Sequence, residues 1–291
     1  MKVAHKDRYT RDDVVGKYRL LNHIARSQSC DVWEAMHVSS NRRHALKLVL
    51  PGVPKASDVA AALRREFSIG SELKHRAIIR FDEFVQDEAA VFLAMEHFPA
   101  PSMKQQIAQR GKQLAPQISL IAQQAAAGLA HMHGCGWIHR DIKPENYLVS
   151  EVGEVRLIDF SISQKPPRWW NSFFGGGSSQ IQGTRTYLSP EQIRKKPLDE
   201  RSDIYSFGCV LFELVSGRPP YVASSANELL NRHLKGAIPS LKAAVAETSK
   251  TFSDLVAQLL AKQPDDRPES MEEVLRQLKK VPVFEKQPIS E

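Results

Sequence analysis

Between Tyr18 and Phe98 the apolar positions come in short runs separated by turn residues. The runs YRLLNHI, CDVWEAMHV, RRHALKLVL and AVFLAMEHF have the length and the β-branched or aromatic content of strands. Between the third and fourth of them, SDVAAALRREFSIGSEL changes period. Val59, Leu63, Phe67 and Gly70 recur every three to four residues, which predicts a helix, with Ser57 or Asp58 as its cap. After PAPSM the chain turns mainly helical. Ile118, Ile121, Ala125, Leu129 and Met132 predict an amphipathic helix from about Pro116 to His133, closed by Gly134. SDIYSFGCVLFELVSG is apolar on nearly every side and so predicts a helix enclosed by others. FSDLVAQLLAKQ and SMEEVLRQLKKV add two more helices. The pattern therefore reads as a sheet with one helix, then a helical half, joined at FPAPS, residues 98–102.

One stretch follows neither period. QKPPRWWNSFFGGGSSQIQ, residues 164–182, mixes prolines, three glycines and four bulky aromatics, Trp169, Trp170, Phe173 and Phe174. Long loops inside compact domains usually carry function.

Composition narrows the class without naming a chemistry. With 42% hydrophobic and 25% charged residues over 291, the chain is an ordinary globular protein large enough for one large domain or two lobes. The net charge of +7 is scattered rather than gathered in one basic run, so no nucleic-acid partner is expected. Cys30, Cys135 and Cys209 are odd in number and lack any C-x-x-C, which argues against a disulfide framework and a zinc site and for a reducing, cytoplasmic setting. No run approaches the roughly 18 apolar residues of a membrane span, and the N-terminus lacks the apolar core of a secretion signal. A sensor or membrane anchor in a longer parent stays open.

The chemistry concentrates in IHRDIKPENYLV. It offers an acid, Asp141, a cation two residues later, Lys143, and an amide, Asn146; further on, VRLIDFS places a second carboxylate, Asp159, after an apolar run. Two hard oxygen donors on loops beside strands suit Mg²⁺, which binds phosphates together with one or two protein oxygens.

These residues, in this order, resemble the eukaryotic-type (Hanks-type) serine/threonine protein kinases, from about residue 16 to residue 280. His139-Arg140-Asp141 with Asn146 is similar to the catalytic loop, Asp159-Phe160-Ser161 to D-F-G, Ser189-Pro190-Glu191 to A-P-E, and HALK to V-A-I-K. The resemblance implies an α+β, two-lobed kinase-like fold: a small antiparallel sheet lobe with one helix, and a larger helical lobe. It divides the chain into an extension at 1–15, a nucleotide-binding lobe at 16–98, a catalytic and substrate-binding lobe at 99–281 and a tail at 282–291.

The resemblance also implies roles. Asp141 accepts the substrate proton, Lys143 neutralises the transferred group, and Asn146 and Asp159 hold Mg²⁺. Lys47 clamps ATP and is held by Glu66. Ile24, Val32, Ala45 and Leu148 sandwich the adenine, Met95 backs it, and the backbone of Glu96 and Phe98 binds its edge. Thr184 touches Asp141, Arg267 pairs with Glu191, and Asp203 matches a further family position. Arg140 is implied to receive a phosphate on Ser172, Ser178, Ser179 or Thr186. A protein substrate is implied, with a regulatory partner or homodimer left open.

The departures lie around the phosphates. Ala25, Ser27 and Cys30 stand at the spacing of a glycine-rich loop without a glycine, which predicts strained backbone of about 1–2 kcal/mol and weakened ATP binding, with Cys30 open to oxidation as a minor expectation. Ser161 replaces the last glycine of D-F-G, and Gly70 stands where the family packs a large side chain against Phe160, which predicts a loosely fixed helix. Against an active kinase stand two alternatives: a pseudokinase that scaffolds with little phosphotransfer, and a small-molecule phosphotransferase.

Overall fold

A computed structural model describes residues 9–166 and 185–286. The chain forms two compact units. The first comprises the residues up to Lys74, Ile78–Pro99 and Asp159–Ser161; the second comprises His75–Ala77, Ala100–Ile158 and Ile162 onward.

The first unit is an antiparallel sheet of β1 (Val14–Val15), β2 (Tyr18–Arg26), β3 (Cys30–His37), β4 (Arg43–Val49), β5 (Phe81–Gln86) and β6 (Val91–Glu96), in the order β1-β2-β3-β4-β6-β5. Alternation along the strands sends Tyr18, Leu20, Trp33, Ala35, Leu46, Leu48, Phe92 and Ala94 into one core. The other face follows from register. Val32 pairs with Lys47, Lys47 with Leu93 and Ala45 with Met95, so these residues share the opposite side. The four expected strands are present. The fifth, FDEFVQ, escapes the periodicity because it is an edge strand rich in polar residues, with a bulge between Phe81 and Glu83.

Helix α1 spans Ala56–Glu72. Its cap differs from the expectation: Lys55, at φ 58°, precedes the helix with no side-chain cap, and Asp58 instead lies in the first turn, where a negative charge suits the helix dipole. Its buried face also differs. Ala60, Leu63, Glu66, Ile69 and Gly70 are buried, while Val59 and Phe67 are only partly covered. The helix is turned so that a carboxylate, Glu66, faces inward.

The second unit is mainly helical, with α2 (Met103–Arg110), α3 (Ile118–Gly134), α4 (Pro190–Ile193), α5 (Glu200–Ser216), α6 (Ala226–Lys235), α7 (Leu241–Ala244), α8 (Lys250–Leu259) and α9 (Met271–Leu278) among the described residues. Helix α3 starts after Pro116 because Gly111–Gln117 winds as a 3₁₀ segment, and it buries all five residues of the expected stripe. Helix α5 is buried from Ser202 to Leu214 without a break, capped by Asp199 at its start and by Gly217, at φ 77°, at its end. A two-stranded ladder, β7 (Tyr147–Val149) with β8 (Val155–Leu157), holds the stretch after the catalytic-loop sequence; only the first three residues of VRLIDFS are strand.

Candidate active site

In the first unit, the sheet face opposite the core presents Lys47 toward α1. Lys47 Nζ donates to Glu66 Oε2 at 2.7 Å, and Asp159 Oδ1 lies 3.9 Å from the same nitrogen. Burial alone favours the neutral amine, but the carboxylates of Glu66 and Asp159 outweigh it and hold Lys47 above the ordinary lysine value. Glu66 is 2% exposed; burial pushes its carboxyl up, and Lys47 pulls it back toward the charged form. The adenine candidates of this unit lie on or beside the same face: Ala45 is buried, Val32 and Met95 are partly covered, and Ile24 is 50% exposed. Glu96 N–H donates to the Arg80 carbonyl at 2.8 Å.

The Gly70 expectation is revised by Phe81. A Cβ on Gly70 would lie 2.3 Å from Phe81 Cε2, and the Phe81 ring packs on Phe160 with centroids 5.7 Å apart. The bulk missing from α1 is supplied by β5, so α1 is seated rather than loose.

The glycine-less loop is a tight hairpin between β2 and β3. Ser27 N–H donates to the Cys30 carbonyl at 2.8 Å, and Ser27 Oγ accepts from Cys30 N–H at 2.9 Å. Asp31, fully buried, holds the hairpin neck through two hydrogen bonds of 2.6 Å from Arg26. None of Ala25, Ser27 and Cys30 has a positive φ, so the expected backbone strain is absent. The sheet register already places these residues in ordinary extended or turn backbone. What the side chains change is the supply of donors: the N–H groups of Ser27 and Cys30 are spent inside the hairpin. Cys30 is buried, and burial pushes its thiol up, away from the thiolate that oxidation needs.

Ser161 carries its N–H to Asp159 Oδ1 at 3.3 Å, while Asp159 itself sits at φ 65°. A non-glycine residue held in the left-handed region marks an over-determined position.

In the second unit, Asp141, Lys143 and Asn146 come together. Lys143 Nζ is 2.6 Å from Asp141 Oδ2, and Asn146 Nδ2 donates to the Asp141 carbonyl at 2.7 Å and to Oδ2 at 3.1 Å. The loop is pinned from beneath. Asp203 of α5, 1% exposed, accepts the N–H groups of His139 at 2.7 Å and Arg140 at 2.8 Å and the Nε2 of His133 at 2.9 Å. Glu200 Oε2 lies 3.3 Å from His133 Nδ1, too oblique for a hydrogen bond but close enough to attract charge. Burial opposes a charged His133, yet Asp203 and Glu200 together raise it to about 9. The expected pairing of Arg267 with Glu191 is present as a buried bidentate bridge at 2.7 and 3.0 Å, with Ser202 as a further donor to Glu191. Leu148 is partly covered in β7. Thr184, Ser172, Ser178, Ser179 and the four loop aromatics lie outside the described residues.

Several supporting residues escaped the sequence. His133, Gln164 and Gln192, which donates to the Arg140 carbonyl at 2.8 Å, bear on the loop only through contacts distant in sequence.

The sequence matches the protein kinase domain family across residues 18–279. The chain belongs to that family. This kinase domain is 30% identical over 251 residues to the serine/threonine-protein kinase PknL of Mycobacterium tuberculosis (strain ATCC 25618 / H37Rv), an alignment covering 86% of this chain and 62% of PknL. It is 29% identical over 267 residues to the serine/threonine-protein kinase PrkC of Bacillus subtilis, covering 91% of this chain and 40% of PrkC. With the serine/threonine-protein kinase pkn3 of Myxococcus xanthus it shares 29% over 288 residues, 97% of this chain and 53% of pkn3. The chain thus spans roughly half the length of these relatives. The antiparallel sheet and the helical unit are the α+β kinase fold that the sequence resembled. The family works with ATP and Mg²⁺, and no helix among the described residues is long and apolar enough to cross a membrane.

Proposed function

We propose that the chain is a serine/threonine protein kinase that moves the γ-phosphoryl group of ATP to serine or threonine hydroxyls of proteins. The observation that carries this reading is the hydrogen-bonded set of Asp141, Lys143 and Asn146. Asp141 Oδ2 is occupied by Lys143 and Asn146, so Oδ1 is the oxygen available to orient a substrate hydroxyl and accept its proton as the oxygen attacks the γ-phosphorus and ADP departs. Lys143, already beside the acid, supplies positive charge where the transferred group gathers negative charge.

Asn146 and Asp159 suit Mg²⁺ by donor chemistry. The Asn146 Nδ2 is committed to Asp141, which assigns its amide oxygen to the metal, and Asp159 adds one carboxylate, the oxygen-rich and sparse protein ligation this ion accepts. When bound, Mg²⁺ neutralises charge on the phosphates. Lys47, kept charged by Glu66, grips the nucleotide. Ile24, Val32, Ala45, Met95 and Leu148 take the adenine, with the Glu96 carbonyl and the Phe98 backbone at its edge. Thr184 is assigned to Asp141 in the substrate complex.

ATP is held less tightly than by a glycine-rich loop, because Ser27 and Cys30 close the hairpin with N–H donors that would otherwise meet phosphate. The domain works in the cytoplasm, where its three free cysteines stay reduced, and a regulatory partner or a second copy acts on it. Incubation with MgATP and a general protein substrate tests the reading: phosphoserine and phosphothreonine found by mass spectrometry support it, whereas phosphate on no protein, with nucleotide still bound, identifies a pseudokinase.

A further inference from the structure

Glu213 takes no part in the reaction described above, yet it is a carboxylate 1% exposed in the last turn of α5. Burial and the helix dipole both oppose a negative charge there unless it is matched. Two donors match it. The Tyr187 hydroxyl donates to Oε2 at 2.6 Å, and Lys104 Nζ donates to Oε1 and lies 3.4 Å from the Tyr187 oxygen. Lys104 reaches this carboxylate from the first turn of α2 with its side chain 42% exposed, so the ammonium closes the pair on the solvent side.

A second carboxylate stands beside the first. Glu145 belongs to the turn Pro144–Asn146, in sequence between Lys143 and the Asn146 that holds Asp141, and its Oε2 is buried without a hydrogen-bond partner. Helix α2 packs on that turn, and α5 packs on both α2 and the segment Arg185–Tyr187. Burial, then Glu213, then Glu145 push the Tyr187 hydroxyl up, so both carboxylates bear on one tyrosine. Tyr187 is itself fixed: Ser206 Oγ donates to its carbonyl at 2.7 Å, and Gln192, further along the same segment, donates to the Arg140 carbonyl at 2.8 Å. The acidic pair thus sits where the segment before Ser189-Pro190-Glu191 meets the catalytic loop.

The pair holds two carboxylates and one ammonium, and the ammonium is the chain's own. A polypeptide extends by about 3.3 Å per residue, so with its hydroxyl at Asp141 its flanking side chains reach the neighbouring turn of Glu145. Without Lys104, the buried carboxylate there would have to find its cation on the substrate.

We infer that Lys104 is a specificity-determining residue: its ammonium fills the acidic subsite of Glu213 and Glu145, so the enzyme accepts polypeptides that carry no basic residue beside the phosphorylated hydroxyl. This deepens the kinase reading above and rests on it. Lys104 does from within what a substrate arginine would do from outside, and an arginine that approaches the subsite meets a like charge.

The test measures phosphorylation, in MgATP, of serine peptides that differ only in whether arginine or alanine stands at each position flanking the serine. The wild type is compared with Lys104→Arg, which keeps the charge, with Lys104→Met, which removes it, and with Lys104→Met/Glu213→Gln, which removes it together with the carboxylate it covers. Thermal unfolding checks that each variant is folded, and Lys104→Gln, which keeps a donor for Glu213, replaces a methionine variant that is not. For the wild type and Lys104→Arg, kcat/KM for the arginine and alanine peptides agrees within about threefold at every position. Lys104→Met favours arginine at one position by about tenfold, the scale of one charge-assisted hydrogen bond. The gain lies in KM for the peptide, with kcat and KM for ATP unchanged, and most of it is lost in the double variant. A wild type that already favours arginine by about tenfold, or a folded uncharged variant that gains no preference, overturns the inference and leaves the kinase standing. No phosphate on any peptide or on a general protein substrate, from any of these proteins, sinks the kinase reading and this inference with it.

Discussion

The Phe81 ring occupies the space that a side chain on Gly70 would need, with ring carbons 2.3 and 2.4 Å from the place of its Cβ. The two residues are complementary across α1 and β5, and Phe160 rests on the result. Gly70→Leu overfills this contact and costs about 1–3 kcal/mol, while Phe81→Ala empties it at about 3–5 kcal/mol. The double variant Gly70→Leu/Phe81→Ala recovers part of the loss, because bulk returns from the other side. Denaturant unfolding of the four proteins measures the coupling; strict additivity would show that the pair is not one packing unit.

The hairpin at Ser27 predicts the effect of restoring glycines. In Ala25→Gly/Ser27→Gly/Cys30→Gly the Ser27 Oγ is gone, so Cys30 N–H is released and the backbone can approach phosphate. The dissociation constant for a nonhydrolysable ATP analogue, read by calorimetry, falls by about tenfold, the scale of one or two hydrogen bonds to charged phosphate. An unchanged constant would show that the loop's side chains do not limit binding.

How far the sequence could be read depended on the range of the interaction. Strands β2, β3, β4 and β6 and the stripe of α3 were legible because burial imposes a local period. The spacing of Asp141, Lys143 and Asn146 was legible because one loop carries all three. Strand β5 was not, since Asp82, Glu83 and Gln86 break its alternation. Strain in the loop was misjudged because φ at Ser27 is set by pairing with β3, which residue type alone does not reveal. Gly70 showed that a side chain was missing from α1, but its replacement arrives from another element. Gln164 stood at the start of a stretch with no period, and its partner Arg140 is apparent only once the two segments are paired.

His133 gives stability a dependence on pH. Its folded value, about 9, lies above the 6.5 of a free imidazole because Asp203 and Glu200 overcome the burial penalty. A raised value means that the charged ring stabilises the fold: the contribution is fully present below pH 6.5 and is lost as pH rises from there through about 9. The loss is on the order of 2–3 kcal/mol. Unfolding of the wild type followed between these limits shows the decline, and His133→Gln, which cannot titrate, shows a flatter profile. A wild-type profile as flat as the variant's would contradict the charged ring.

In the proposed reaction Asp141 is the acceptor of the substrate proton. Phosphate transfer from radiolabelled ATP to a general protein substrate, measured side by side for the wild type and the isosteric Asp141→Asn, tests it most directly. The wild type incorporates phosphate, and the variant, folded and still binding nucleotide, falls by at least about 100-fold. Equal incorporation in the two proteins would contradict it.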